Sequence, residues 1–330
     1  MTEYAKPWLP VDAQMAKLAD RGVQIPVPDA CRKLLWAVGY YRLTGYLYPL
    51  RESELLADAA GETRLIIHSS YRPGTSIQIA EELISFDRSL RMLVLEGIER
   101  IEVSLRMQIG YVLGRKSPFA HLDPENFVDS FTDEQVDRAT GESAPSRHHQ
   151  WIERVTHRKA ESKEAFVVHF RTKYDEKMPI WALTELLELG QLGVLYRGLN
   201  NSFATTIAAH YGAPTKKVLA SWISSINYIR NVSAHHARLF NRKLVAAPGR
   251  PKIGAVPVLD HLRNGSTTKE VFGLYNALAV MAYLLHTTDP DSGWPTRLSQ
   301  LISSFPASPL IDITSMGIPD GWSTLDLWKH

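Results

Sequence analysis

The chain has 330 residues, enough for about two average domains or one large helical one. Apolar residues make up 45%, charged residues 22% and aromatics 9%, which excludes disordered, collagen-like and coiled-coil classes. Lys and Arg total 37 against 35 Asp and Glu, so bulk charge announces no nucleic-acid binder, and an anionic partner needs a local patch.

The single cysteine, Cys31, forms no intrachain disulfide and no Cys-based zinc site, which fits a reducing compartment. The first residues lack the apolar core of a secretory signal. The longest apolar run, near 277–285, is about half of the ~20 residues that a membrane span needs. A cytoplasmic protein without membrane contact is expected.

Residues 11–22 place Val11, Met15 and Leu18 on one helical stripe that Gly22 stops, and a second helix runs from Asp29, as N-cap, to Val38 before Gly39. Tyr40, Tyr41, Tyr46 and Tyr48 then crowd one short stretch. They read as an aromatic core patch, with base stacking on exposed rings as the functional alternative. The run 65–68 is the one short β-like stretch. The strongest periodicity spans 76–114, where Leu83, Leu90, Ile98, Ile101 and Leu105 follow the helical repeat. Glu99, Arg100, Glu102 and Arg106 pair one turn or less apart along it. Gly114 and Pro118 end this long central helix.

Residues 117–146 are polar and rich in turn formers. From 138 to 163 the chain is at its most cationic: Arg138, Arg147, His148, His149, Arg154, His157, Arg158, Lys159 and Lys163 stand against Glu142, Glu153 and Glu161. This run is either a solvated helix face or a phosphate-tracking surface built on Arg147, Arg154, Arg158 and Lys159. Helices are expected at about 163–173, 180–198, 202–211, 214–236 and 268–286, with a Pro/Gly-rich loop at 245–258 and an irregular C-terminal tail. The expected class is all-α, in one domain: a helical N-terminal part (about 1–75), a helical core (76–290) and the tail (291–330).

Twelve histidines invite a metal, but His148-His149 and His235-His236 are adjacent pairs that do not share a helix face, so neither metal nor cofactor is expected. Nucleophile-elbow, P-loop and dinucleotide-binding motifs are absent. The segment that stands out is RNVSAHHARLFNR (230–242), at the end of an apolar helix. Asn231 and His235 are four residues apart on one face, and Arg230 can swing toward them. Arg supplies a fixed phosphate clamp, His moves a proton near neutral pH, and Asn can hold the imidazole in one tautomer. The same residues also complement the negative end of a helix dipole.

Residues 230–235 match the R-x4-6-H signature of HEPN ribonucleases, in the RNxxxH form. With GYYRLTGYLYPLR (39–51), FDRSLRMLVLEGIERIEVSLR (86–106), PFAHLDPENF (118–127), FVVHFRTKY (166–174), MPIWALTELLELGQLGVLY (178–196) and MGIPDGW (316–322), plus Lys6 to Leu9, the chain resembles the Abi-like (abortive infection) family of bacterial HEPN proteins. The resemblance implies a HEPN-type helical bundle that dimerises. It implies metal-independent RNA cleavage by 2′-OH attack, with Arg230 and His235 as the catalytic pair, Asn231 as the orienting amide and His236 as a lesser candidate. Arg238 joins Arg147, Arg154, Arg158 and Lys159 as an expected RNA contact. It further implies phage defence held in check by an antitoxin protein or an inhibitory non-coding RNA. The alternative is a catalytically silent RNA-binding protein. Glu188-Leu189-Gly190 departs from the Ser-Phe-Gly that relatives favour, a difference expected to lie away from the site.

Overall fold

A computed structural model describes residues 3, 5, 7–57, 63–136 and 141–329. Lys6 and Arg138 lie outside the described residues. The chain opens with α1 (Val11–Asp20) and α2 (Pro28–Val38). Gly22 and Gly39 end them with φ of 93° and 78°, left-handed values that favour glycine. Pro28 is the first residue of α2, so Asp29 lies inside the first turn and is not its cap. In α3 (Tyr40–Leu47) the tyrosine packet divides: Tyr46 is buried, whereas Tyr41 is 92% exposed.

The expectation of an all-α chain needs one amendment, because β1 (Arg51–Ala57) and β2 (Thr63–Tyr71) form an antiparallel hairpin that pairs Leu55 with Leu65. The fold is mostly α. Most of β1 is exposed on both faces, so it carries no alternating apolar pattern to read.

α4 (Ile77–Gly114) is the axis of the molecule. Ser76 caps it by accepting the Ile79 N–H at 3.4 Å, and its 38 residues extend about 57 Å at 1.5 Å per residue. After α5 (Asp129–Thr132) and a two-residue pairing of β3 (Gln135–Val136) with β4 (Ser143–Ala144) come α6 (Arg147–Glu161) and α7 (Ala165–Lys173). α8 (Ile180–Leu183), α9 (Leu189–Gly198), α10 (Asn201–His210) and α11 (Lys216–Ala234) follow, then α12 (Thr268–Phe272), α13 (Leu274–Thr288) and α14 (Trp294–Ser303). α4 packs against α3, α8, α9, α10, α11, α13 and α14.

Two expected helices are each interrupted. The one at 180–198 breaks at Leu187, whose backbone is extended, because Glu188 and Gln191 form a capping box that starts α9 anew. The one at 268–286 breaks at Gly273, where a Cβ would stand 2.2 Å from the Lys269 carbonyl oxygen and 2.5 Å from that of Met316. Only glycine lets the C-terminal segment approach this closely.

Buried apolar residues form one cluster from Met15 to Trp328, so the tail is part of the core. Trp294 donates its indole N–H to the Leu93 carbonyl at 2.8 Å, and Gly97 makes room for the ring, since a Cβ there would lie 2.6 Å from Nε1. No helix among the described residues is long and apolar enough to cross a membrane.

α6 is held on α9 by Trp151, whose indole donates to the Gln191 carbonyl at 3.2 Å. Below it lies His121, buried edge-on to Trp151; its carbonyl accepts from His148 Nε2 at 2.8 Å, while its own Nδ1 has no partner among the described residues. Burial, helped by the charges of Lys159 and His148, pushes the His121 imidazole down to about 4. The folded chain therefore refuses a proton that the unfolded chain accepts below the ordinary value of 6.5. Stability is full above that value and falls as pH drops toward 4, by on the order of 3 kcal/mol at 1.36 kcal/mol per unit. Urea unfolding of His121→Gln should show a flatter pH dependence across this window. An identical profile would show that His121 titrates normally.

Candidate functional site

The expected site residues lie at the C-terminal end of α11. Leu219, Trp222, Ile223, Ile226 and Ile229 bury one face of this helix, and the Trp222 indole donates to the Gly249 carbonyl at 2.8 Å. α9 approaches closely because Gly193 faces Ile223, where a Cβ would stand 2.9 Å from its methyl. Arg230 is half-buried and donates to the Asn231 side-chain oxygen at 3.3 Å. The Asn231 amide therefore contacts the guanidinium. Its main-chain carbonyl accepts from the His235 N–H at 3.0 Å, as the helix closes. His235 and His236 are both exposed, and neither imidazole has a hydrogen-bond partner among the described residues. His236 turns the chain away from the helix with a φ of 57°, in the left-handed region that is costly for a residue with a Cβ.

That turn is held from beneath. Asp87 of α4 is completely buried, and its carboxylate accepts from the main-chain N–H groups of Leu239 at 3.0 Å and Phe240 at 2.5 Å. It also accepts from the Tyr46 hydroxyl at 2.5 Å and Arg91 at 3.1 Å. Arg91 in turn donates to the carbonyls of His236 and Ala237 at 3.3 and 3.4 Å. Burial, and then the Asp87 charge, raise the Tyr46 phenol to about 12, so it remains a donor. Arg238 is inside this cluster as well: its guanidinium bonds the Gly45 carbonyl, and burial lowers its basicity. One donor of this expected RNA contact is thus committed to α3.

The other cations divide. Arg147 and Arg154 project from α6 into solvent. Lys159 donates to the Glu176 carbonyl at 3.3 Å, and Arg158 pairs with Glu188 at 2.7 Å. Glu188 is the N-cap of α9, and its carboxyl is held below the usual carboxylate range. The Arg158 hydrogen bond is the main cause, opposed by burial and reinforced by the charges of Arg158, Arg230 and Arg106. The Glu188-Leu189-Gly190 departure thus lies beside α11, contrary to expectation. Gly190 faces Asn227, one turn before Asn231, and the Glu188 charge reaches Arg230. Arg106 completes the corner by donating to the Leu187 carbonyl at 3.1 Å and pairing with Glu102 at 2.5 Å. Its i,i+4 pairing was visible in sequence, but its reach to 187 was not. Neither Asp87 nor Glu188 carried a sequence signal of a site, since each looks like an ordinary helix-surface acid.

The match to a protein-family model covers residues 33–241, and the chain belongs to the Abi-like protein family, which gives it an abortive-infection-related function. No curated protein and no solved structure matches it. Among the described residues no group of three or more His, Cys, Asp or Glu is placed to hold a metal ion.

Asp87→Ala should lower stability by about 3–5 kcal/mol in urea unfolding, because it leaves Arg91 buried without its counter-charge. Glu188→Gln breaks a pair whose side chains are 42% and 45% exposed, and should cost less than about 1 kcal/mol. Equal costs would refute the distinction between a buried anchor and a solvated pair.

Proposed function

We propose that the RNxxxH segment forms a metal-independent endoribonuclease site. The observation that carries this reading is the pairing of Arg230 with Asn231 at a helix end, beside two exposed imidazoles that have no partner among the described residues. His235 takes the proton of a ribose 2′-hydroxyl, and the freed oxygen attacks the adjacent phosphorus. The 5′-oxygen leaves with a proton from a second acid, giving a cyclic phosphate and a 5′-hydroxyl. Arg230 meets the charge that develops on the phosphoryl oxygens. His236 and a second copy of the chain are the two sources for that acid. A closed two-fold dimer that sets two RNxxxH segments on one cleft supplies it, and such dimers are the commonest oligomers. An antitoxin protein or inhibitory RNA restrains the activity until infection.

A catalytically silent RNA-binding protein is the second reading, favoured by the exposed Arg147 and Arg154 of α6. Arg158 and Lys159, occupied by Glu188 and Glu176, contribute less to such a surface than the sequence implies.

Purified protein should cleave RNA in the presence of a chelator, leaving cyclic phosphate ends. His235→Ala should lose roughly 10²–10⁴-fold in rate with its fold intact. Arg230→Lys should fail as well, since an ammonium lacks the planar fork. Cleavage by His235→Ala at the wild-type rate ends the proposal; RNA binding without cleavage by the wild type selects the second reading. In binding, Arg147→Glu with Arg154→Glu should flatten the salt dependence by about 0.7–0.9 per lost contact. An unchanged slope places the RNA on another surface.

A further inference from the structure

The base of the hairpin, α12 and the C-terminal turns line an open cleft of about 350 Å³ to which none of Arg230, Asn231, His235 and His236 contributes. Arg51, Arg72 and Lys269 converge on it, against a single carboxylate, Asp312. That carboxylate is already engaged, accepting the N–H of Thr314 at 2.9 Å and its hydroxyl at 2.5 Å. Its charge remains, so three cations, none of them in an ion pair among the described residues, face one negative charge. Arg51 lies over the rings of Tyr48 and Tyr71, at 5.3 and 5.7 Å, and its Nε has no acceptor among the described residues. Among the described residues Arg72 donates only to the carbonyls of Pro49 and Leu310, at 3.1 and 2.7 Å, and its Nε is likewise unpaired. Lys269 is exposed and has no anionic partner among the described residues. Such cations sharing one concavity repel one another and lower the energy of a bound dianion.

A second cavity of about 150 Å³ shares Asn241, Lys269 and Ser315 with the first and adds Arg242 and Lys243. Asn241, at the junction, has a φ of 50°, in the left-handed region that asparagine tolerates. The space falls in the range of small-molecule sites, about 300–1,000 Å³, and is too large for a phosphate ion alone.

We propose that this cleft binds a phosphate monoester of nucleotide size, with Arg51, Arg72 and Lys269 around its phosphate. Such a group carries about −1.5 to −2 charges at neutral pH and three acceptor oxygens, which matches an excess of two positive charges over Asp312. Arg72 also fastens the hairpin base to the C-terminal turns through its two carbonyl partners, so occupancy ties those segments together. The same phosphate chemistry is offered by a free nucleotide and by the 5′ end of an RNA.

The test is calorimetric titration of the full chain with 5′-AMP, with adenosine, and with a 2′-O-methyl oligonucleotide carrying or lacking a 5′-phosphate. AMP should bind at least tenfold more tightly than adenosine. Lys269→Gln, at an exposed position that leaves the fold undisturbed, and Arg51→Gln should each weaken AMP binding about tenfold or more. Competition between AMP and the phosphorylated oligonucleotide alone would assign the site to RNA ends; binding of AMP without such competition would assign it to a free nucleotide. Equal binding of AMP and adenosine, no binding of AMP, or wild-type affinity in both variants would overturn the proposal. RNA cleavage enters none of these readouts, so this outcome is separable from that of the nuclease reading.

Discussion

A single buried carboxylate organises the chain that follows α11. Asp87 gathers the Tyr46 hydroxyl of α3, the Arg91 guanidinium of its own helix, and two main-chain N–H groups from the segment that follows α11. An isolated charge at that depth would cost several kcal/mol, so the surrounding chain must present donors from every side. The path of 236–240 follows from that requirement. His236 takes its left-handed turn so that Leu239 and Phe240 can deliver their N–H groups, and Arg91 secures the two carbonyls that the turn exposes. The backbone that carries the imidazoles is thereby fixed while their rings remain in solvent.

Around this anchor the charges sort by depth. Arg238, half-buried and bonded to Gly45, is structural, whereas Arg147 and Arg154 are exposed on α6. Arg158 and Arg106 stand between these extremes at the corner where α9 begins, both near Glu188. That acid caps α9, interrupts what would otherwise be one helix, and lies within electrostatic reach of Arg230. One residue thus joins a local backbone decision to the charge balance of the site. Its field opposes that of Arg230.

What the sequence disclosed follows the range of the forces involved. The 76–114 repeat marked α4 because its buried positions recur every helical turn, and glycine at 22 and 39 marked the ends of α1 and α2. Membership of the Abi-like family was legible in motifs spread along the chain, and the match at 33–241 agrees with them. β1 was missed because its residues are exposed on both faces and leave no alternation. Gly273 was read as helix interior because part of its constraint, beside the nearby Lys269 carbonyl, is the approach of Met316 and Gly317, forty residues away or more. Asp87 was passed over and Glu188 was expected to lie away from the site for the same reason: their partners lie 152 residues off for Leu239, and 30 for Arg158. Local pattern reports which faces are apolar, but not which distant donors meet a given acid.

Asp87 fixes the backbone at the exit of the RNxxxH segment, so that the imidazoles are displayed on a rigid mount. Hydrogen exchange at the Leu239 and Phe240 amides, followed by mass spectrometry of peptides covering 236–242, reads this anchoring. Those two amides should exchange only with global unfolding, as slowly as the core of α4. Exchange at the rate of an open loop, with α4 still protected, would contradict it.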